Sequence, residues 1–290
     1  MLRVIYNPVA GPKIVTKIDR VQAVLSERKI PFEILETSGP GDATLMAREA
    51  AHEGAETVIA VGGDGTINET ANGLAGSATR LLVVPHGTGN VLADEIGLPA
   101  TVDGCLALLS GGNTIEIPLA RANGRYFVLL ASAGFDAEVL ERMGHRGKNF
   151  LGIAAYVLAG ARHLLRRPPT LWLEFPDRER MEVQSVIVSK GRKYGGGVTI
   201  APAGNLSSAV FQVVALREAG RFAILSFAID ALRGKHTDSS SVFVREAAAL
   251  YVRSRFPSAA QVDGEYIGPL PVRFEMTDKS LRIVVPKDYA

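Results

Sequence analysis

A short apolar run that ends in a glycine-rich turn is the feature that most constrains the fold of this chain. Residues 58–61 indicate a buried strand, residues 62–65 a turn of three glycines and Asp64, and residues 66–69 the start of a helix. In such a segment, main-chain N–H groups can approach phosphate oxygens closely, and the helix directs its positive N-terminal end toward them. The run therefore predicts a phosphate site. The alternative is a structural turn in which Asp64 caps the helix.

Asp64 is the charged group that this turn would bring nearest to a bound phosphate. A carboxylate beside a polyanion is repelled unless a cation or a proton lies between them. Its natural role at such a place is to hold Mg²⁺, directly or through water, or to assist proton transfer.

Further strand-to-turn segments support one shared crevice. Residues 81–84 form a second apolar run, followed by a turn at 85–90, and residues 2–6 and 32–36 also lead into polar or glycine-containing turns. Ligands of an open parallel sheet collect outside the carboxyl ends of its strands. We therefore expect these turns to meet at one ligand.

A series of motifs, in order along nearly the whole chain, is similar to the diacylglycerol kinase catalytic family, which includes bacterial lipid kinases, sphingosine kinases and ceramide kinases. The motifs are Asn7-Pro8-x-x-Gly11, Thr37 with Gly41-Asp42-Ala43, Gly62-Gly63-Asp64-Gly65-Thr66-x-Asn68-Glu69, Pro85-x-Gly87-Thr88-x-Asn90, Asn123-Gly124-Arg125-Tyr126-Phe127, Ala133-Gly134-Phe135-Asp136-Ala137, Gly195-Gly196-Gly197-x-x-Ile200-Ala201-Pro202 and Val262-Asp263-Gly264-Glu265.

The resemblance implies a site with assigned roles. Glu265 would be the proton acceptor, and Asp64 would act at the phosphates and hold the metal. Taken from the residues alone, Asp263-Gly264-Glu265 is read equally well as a hairpin turn. The resemblance implies that ATP contacts Asn7, Pro8, Gly11, Thr37, Gly62, Gly63, Asp64, Gly65, Thr66, Asn68, Glu69, Gly87, Thr88 and Asn90.

This chain departs from the family pattern at positions that bear on which lipid is the substrate and on which metal sites are present. Val91 follows Asn90 where many relatives have Asp, and Pro118 stands where bacterial diacylglycerol kinases tend to carry an acid. Residues 205–209 lack the Asp-Gly pair that the family associates with a structural metal, so we expect that metal site to be lost. Asp64 and Glu265 are retained.

The order of the predicted elements indicates two domains. Residues 1–120 alternate strands with helices, which predicts an α/β, Rossmann-like nucleotide-binding domain with a parallel sheet. Residues 121–290 are rich in strands at 126–130, 170–175, 183–189, 211–216, 249–253 and 272–275, with helices at 148–166 and 221–233. This predicts a mainly antiparallel β-sandwich that binds the lipid, with the last residues free to return to the first domain.

Composition excludes several classes of protein. Cys105 is the only cysteine, so no intrachain disulfide forms, and a reducing cytoplasm is expected. The net charge of +2 is too small to indicate nucleic acid. No targeting signal is expected, and the most apolar segment, 150–165, is shorter than the ~18–20 residues that span a bilayer. Its basic ends could meet anionic headgroups, but a buried helix with solvated ends is the favoured alternative. A lipid substrate would itself require peripheral association with the inner face of the membrane.

These observations favour an ATP- and Mg²⁺-dependent lipid kinase. Diacylglycerol, giving phosphatidic acid, is the first expectation, and ceramide or a sphingoid base is the alternative. An NAD kinase-like enzyme and a catalytically silent nucleotide or lipid sensor remain further readings, and a homodimer is left open. A P-loop enzyme is excluded, because no Gly-x4-Gly-Lys-Ser/Thr run occurs.

Overall fold

The computed structural model describes residues 1–87, 89–135, 137–138, 141, 170–195, 197–217 and 221–289. The chain forms two compact units, one of Met1–Leu119 with Asp278–Ala290 and the other of Ala120–Thr277. The helix expected at 148–166 lies outside the described residues. Among the described helices, none is long and apolar enough to cross a membrane.

The first unit is a parallel sheet wound with helices. Its strands lie in the order β2 (Phe32–Glu36), β1 (Leu2–Tyr6), β3 (Thr57–Gly62), β4 (Arg80–Pro85) and β18, the last strand of the chain (Val272–Val285). The central strand β3 is buried along its whole length, as expected for a parallel strand covered on both faces. The elements before the last strand are β1 Leu2–Tyr6, α1 Ile14–Glu27, β2 Phe32–Glu36, α2 Asp42–His52, β3 Thr57–Gly62, α3 Asp64–Leu74, β4 Arg80–Pro85, α4 Val91–Glu95, α5 Val102–Gly111 and β5 Asn113–Ala122.

The helices of this unit pack through apolar stripes and close backbone approaches. On α1, Ile14, Ile18, Val21 and Leu25 are buried at helical spacing, and they join a core cluster with residues of β3, β4 and α5. Helices α2 and α3 pack against one another. Their backbones meet at Gly73, where an added Cβ would lie 2.4 Å from the Thr44 carbonyl oxygen.

Gly73→Ala is expected to destabilise the protein by about 2 kcal/mol, because the methyl group would clash with the backbone of α2 and with Ala47. Urea denaturation measures the loss. Gly111→Ala, at the end of α5, is the control, since a Cβ there meets nothing within 4 Å and the change should be neutral or slightly stabilising. Equal stabilities of the two variants would contradict the close packing of α2 on α3.

The second unit is an antiparallel β-sandwich, with one sheet in the order β14-β13-β10-β7-β16-β17 and the other in the order β18-β15-β8-β9. Inward-facing residues of both sheets form one apolar core. The elements are β6 Arg125–Phe127, β7 Leu130–Gly134, β8 Leu171–Glu174, β9 Arg180–Val183, β10 Ser185–Ser189, β11 Lys193–Gly195, β12 Val198–Thr199, β13 Phe211–Leu216, α6 Arg221–Leu232, a 3₁₀ turn at His236–Asp238, β14 Val242–Ala247, β15 Ala249–Ser254, β16 Ala259–Val262, β17 Glu265–Pro269 and β18 Val272–Val285.

Three expected strands differ from the structure. The prediction of a single strand at 126–130 is wrong, because β6 ends at Phe127 and β7 begins at Leu130. The strand at 183–189 is likewise two strands, β9 and β10, separated at Gln184. Strand β18 extends ten residues beyond the expected end at Glu275, and its final part pairs with β4 of the first unit.

Candidate active site

The turns after β1, β3 and β4 lie together at the carboxyl edge of the parallel sheet. The His86 N–H donates to the Gly62 carbonyl at 2.7 Å. A Cβ added to Gly87 would lie 3.3 Å from Gly63 Cα, and one added to Gly11 would lie 3.7 Å from His86 Nε2. The approach at Gly87 is tighter than an ordinary van der Waals contact, whereas Gly11 is explained by its φ of 138°, a backbone conformation that residues with side chains rarely adopt.

Asp64 is the first residue of α3 and joins this helix to the turn after β4. Its Oδ1 accepts the Val91 N–H at 2.9 Å, and a Cβ on Gly89 would lie 2.7 Å from its Oδ2. Gly62 lies so close to Thr66 that an added Cβ would overlap that side chain at 2.7 Å. A carboxylate at a helix N-terminus is stabilised there by the helix dipole. The N-cap of α3 is Gly63, so Asp64 is a first-turn residue and the interpretation of Asp64 as the helix cap is wrong. A phosphate-side carboxylate is compatible with this position.

Asn90 adds an acceptor to the same turn. The residue has a left-handed backbone with φ 47°, and its Nδ2 donates to the Gly87 carbonyl at 2.7 Å. Its Oδ1 is enclosed and has no hydrogen-bond partner among the described residues. A buried acceptor without a partner is costly, so this oxygen suits a hydroxyl or a water molecule held at the site. Thr88 of the same turn lies outside the described residues.

The other residues that the sequence assigned to ATP contact form hydrogen bonds that define the neighbouring loops. Asn7 Oδ1 accepts the Val9 N–H at 3.0 Å, which folds the Asn7-Pro8 turn on itself. The buried Thr37 donates its N–H to the Tyr6 carbonyl at 3.0 Å. Glu69 Oε1 accepts the Gly41 N–H at 2.9 Å and so links α3 to the start of α2. Asn68 is buried on α3 and accepts a hydrogen bond from Asn72.

His86 and Lys17 are residues of this site that the sequence reasoning did not assign. Lys17 Nζ donates to the Pro85 carbonyl at 2.6 Å, and burial lowers its pKa. Burial of His86, together with the nearby Lys17 ammonium, lowers the pKa of the imidazole, although hydrogen bonding to the Gly11 and Pro12 backbone acts in the opposite direction. A neutral imidazole therefore joins the turn after β1 to the turn after β4.

The lowered pKa of His86 predicts a loss of stability in acid. As the pH falls below about 6.5, the unfolded chain takes up a proton on this residue before the folded chain does. Its stabilising contribution is complete above that pH and is lost as the pH falls through the folded-state pKa. Urea denaturation between about pH 7.5 and 5 should show a smaller loss in His86→Gln than in the wild type. His52→Gln, which changes an exposed histidine, should keep the wild-type loss; equal losses in all three proteins would contradict the prediction.

Glu265 begins β17 in the second unit, directly after a tight hairpin turn. Asp263 and Gly264 have φ of 43° and 80°, the signs that a two-residue hairpin with an Asp-Gly turn requires. The Asp263 carboxylate accepts N–H groups of Val128, Leu129 and Leu130 at 2.9–3.0 Å. The hairpin-turn interpretation of Asp263-Gly264 is therefore confirmed.

The Glu265 carboxylate forms an ion pair with Arg125, which precedes the segment that Asp263 holds. Its side chain is 19% exposed, so a bound molecule can reach it. Arginine stays protonated and cannot take the proton itself. The ion pair with Arg125 therefore fixes the position of the Glu265 side chain at the start of β17.

Asp64 is the residue of this site that would hold Mg²⁺. No group of three or more His, Cys, Asp or Glu side chains is arranged for a metal among the described residues. Mg²⁺ is commonly held by one or two carboxylates, with water and substrate phosphates completing its ligands. Asp64 beside the glycine turns fits that mode, and a metal cage made only of protein groups is not needed.

Two family models together match most of the chain. The diacylglycerol kinase catalytic domain matches residues 1–122, and the YegS C-terminal NAD kinase beta sandwich-like domain matches residues 130–285. These matches correspond to the α/β unit and the β-sandwich.

Curated relatives align over the full chain. The diacylglycerol kinase of Bacillus subtilis strain 168 is 31% identical over 299 residues, covering 99% of this chain and 97% of the relative. The diacylglycerol kinase of Staphylococcus aureus strain JH9 is 29% identical, covering 99% and 92%.

Among solved structures, a protein of Bacillus anthracis strain Sterne provisionally named a diacylglycerol kinase superposes with a TM-score of 0.81 at 21% identity, covering 100% of this chain and 96% of that one. At this identity, the likeness establishes the two-domain fold.

Proposed function

This chain belongs to the diacylglycerol kinase catalytic-domain family, and we propose that it transfers the γ-phosphate of ATP to a lipid hydroxyl, with diacylglycerol as acceptor and phosphatidic acid as product. The observation that carries the proposal is the meeting of three turns around Asp64, where the N-terminus of α3 faces the glycines of β3 and β4. Helix N-termini beside glycine-rich turns hold phosphates through backbone N–H groups and the helix dipole.

At the nucleotide, the proposal assigns the phosphates to the junction of β3 and α3 at Gly62–Gly65 and to the neighbouring turn at Gly87–Asn90. Asp64 would hold Mg²⁺ directly or through water. The metal ion, when bound, neutralises charge on the phosphate oxygens. Val91 fixes one oxygen of the carboxylate through its N–H, so Asp64 is held in place before the nucleotide arrives.

At the lipid, Glu265 would accept the proton of the attacking hydroxyl. Transfer of a phosphoryl group has a loose transition state, so placement of the alcohol and an acceptor for its proton are the main tasks of the protein. Arg125 holds the carboxylate at the head of β17, and the clamp between Asp263 and residues 128–130 fixes the turn before it.

Diacylglycerol is the proposed acceptor because both curated relatives named above carry that activity in their names. Ceramide or a sphingoid base is the second candidate, favoured by Val91 and Pro118, which depart from the usual bacterial pattern. Access to any of these lipids would require peripheral contact with a membrane from the cytoplasmic side.

Transfer of labelled γ-phosphate to a panel of acceptors tests the proposal. The panel contains diacylglycerol, ceramide, sphingosine and monoacylglycerol in mixed micelles, and NAD in solution. We expect labelled phosphatidic acid as the main product, and its loss when Mg²⁺ is removed by a chelator. A labelled ceramide or sphingosine phosphate would move the assignment to that acceptor. Labelled NADP would overturn the lipid assignment, and ATP binding without any product would favour a silent sensor.

A further inference from the structure

The end of β15, the turn that follows it and the neighbouring strand β8 carry a group of aromatic and arginine side chains, here called the aromatic–arginine strip: the exposed Arg253, Arg255 and Phe256, and the partly buried Trp172 of β8. Phe256 is 70% exposed, although a phenylalanine of a soluble domain is usually buried. The Ser254 hydroxyl donates to the Phe256 carbonyl at 2.6 Å, so the turn that presents the ring has a defined shape.

The two arginines of the strip lie over its aromatic rings. The Arg255 guanidinium carbon is 5.6 Å from the centroid of the Phe256 ring, and the Arg253 carbon is 5.4 Å from that of Trp172. Arg253 stands opposite Trp172 in the ladder between β15 and β8, so both side chains project from the outer face of the sandwich. Tyr251, two residues before Arg253, is 39% exposed on the same face.

Within the described part of the chain, the two arginines of the strip make no ion pair with a carboxylate, although acids stand nearby on the same face: Glu182 lies opposite Trp172 and Glu174 lies opposite Tyr251. Other arginines of the same outer face do: Arg180 pairs with Glu174, and Arg273 pairs with Glu275. Two arginines without an ion-pair partner among the described residues thus lie beside the aromatic rings.

We propose that the aromatic–arginine strip docks this protein onto an anionic lipid bilayer. Aromatic rings settle at the interface between headgroups and acyl chains, and arginines beside them meet anionic headgroups. The strip presents an exposed ring and two arginines without ion-pair partners among the described residues, which suits an anionic surface better than an apolar groove on a protein. This inference rests on the proposed function, because a lipid kinase must reach its acceptor at a membrane.

Vesicle co-sedimentation tests the docking surface directly. Wild-type protein should bind phosphatidylcholine vesicles that contain phosphatidylglycerol more tightly than pure phosphatidylcholine vesicles. The double variant Arg253→Gln/Arg255→Gln should bind the anionic vesicles at least ~20-fold more weakly, which corresponds to roughly fivefold per basic residue. Phe256→Ala should weaken binding to both kinds of vesicle, since it removes apolar contact and no charge.

A matched control removes two arginines from the same face of the sheet. Arg180→Gln/Arg273→Gln takes away the same charge from residues that already have carboxylate partners, and its binding to anionic vesicles should stay within about threefold of the wild type. If both double variants lost the same affinity for anionic vesicles, binding would depend on net charge alone, and the proposal would be overturned. Arginine-dependent binding of single-stranded RNA with vesicle binding unchanged would overturn it as well.

Two kinetic assays separate this inference from the kinase assignment. The Arg253→Gln/Arg255→Gln variant should lose activity toward diacylglycerol in anionic vesicles and keep wild-type activity toward a water-soluble, short-chain diacylglycerol. Arginine-dependent vesicle binding without phosphoryl transfer to either acceptor would support the docking surface and contradict the kinase. Full activity of the double variant on vesicles would overturn the docking surface alone.

Discussion

Replacing Asp64 with Asn is expected to reduce phosphoryl transfer by about 10³-fold while the fold survives. An asparagine Oδ1 can still accept the Val91 N–H, so the link between α3 and the turn after β4 is kept. What is lost is the negative charge beside the glycine turns, and with it the hold on Mg²⁺. The cost to stability should be under about 1 kcal/mol, the usual value of a charge in the first turn of a helix.

Asp103→Asn is the matched control for this variant. Asp103 also lies in the first turn of a helix of the α/β unit, but it is exposed and pairs with Arg20. We expect its kcat and its KM for ATP to equal those of the wild type. Steady-state kinetics and thermal unfolding of both variants make the comparison. An Asp64→Asn protein with wild-type turnover would remove this residue from the mechanism.

Replacing Glu265 with Gln is expected to lower kcat by about 10²–10⁴-fold, the range that removal of a general base produces. The amide has nearly the shape of the carboxylate and can still accept from Arg125, so β17 should keep its place. The nucleotide turns belong to the other unit, and ATP affinity should therefore stay unchanged. Isothermal titration with ATP and initial rates at saturating lipid separate these effects.

Glu275→Gln provides the corresponding control in the sandwich unit. Glu275 is also a carboxylate held by arginines, Arg121 and Arg273, and its pKa is lowered by the hydrogen bond from Arg121 and, to a smaller extent, by the charges of both arginines. Its replacement should cost little activity, because the proposal gives it no contact with the substrate. Equal losses of kcat in the two variants would show that any broken carboxylate–arginine pair in this unit disturbs catalysis, and Glu265 would lose its special role.

The strands β1 to β4 of the α/β unit could be predicted, because each is marked by an apolar run in its own sequence. Residues 2–6 and 32–36 coincide with β1 and β2, and β3 and β4 extend the expected runs by one residue at each end. Buried parallel strands read as continuous apolar runs, and glycine turns mark their ends. The helix expected at 221–233 is likewise confirmed as α6.

Features set by distant parts of the chain could not be predicted. Residues 126–130 have strand composition throughout, yet the Asp263 carboxylate takes the N–H groups of residues 128–130 and bends the chain between β6 and β7. The length of β18 also depends on remote contacts, since β15 pairs with its beginning and β4 with its end.

The same distinction applies to the candidate site. The glycine turn and Asp64 are one local motif, and the sequence presents them directly. Lys17 and His86 meet through contacts between segments far apart in the chain, and Arg125 reaches Glu265 across 140 residues. For Arg125 and Glu265, only the resemblance of Asn123-Gly124-Arg125 and Asp263-Gly264-Glu265 to family motifs indicated that these residues belong to the site.

The most direct test of the central claim is a count of products from Mg-ATP and diacylglycerol in mixed micelles. The wild-type protein should form one ADP for each phosphatidic acid, and Asp64→Asn should form both about 10³-fold more slowly. ATP hydrolysis without phospholipid, or phosphatidic acid formed equally by the Asp64→Asn protein, would contradict the account.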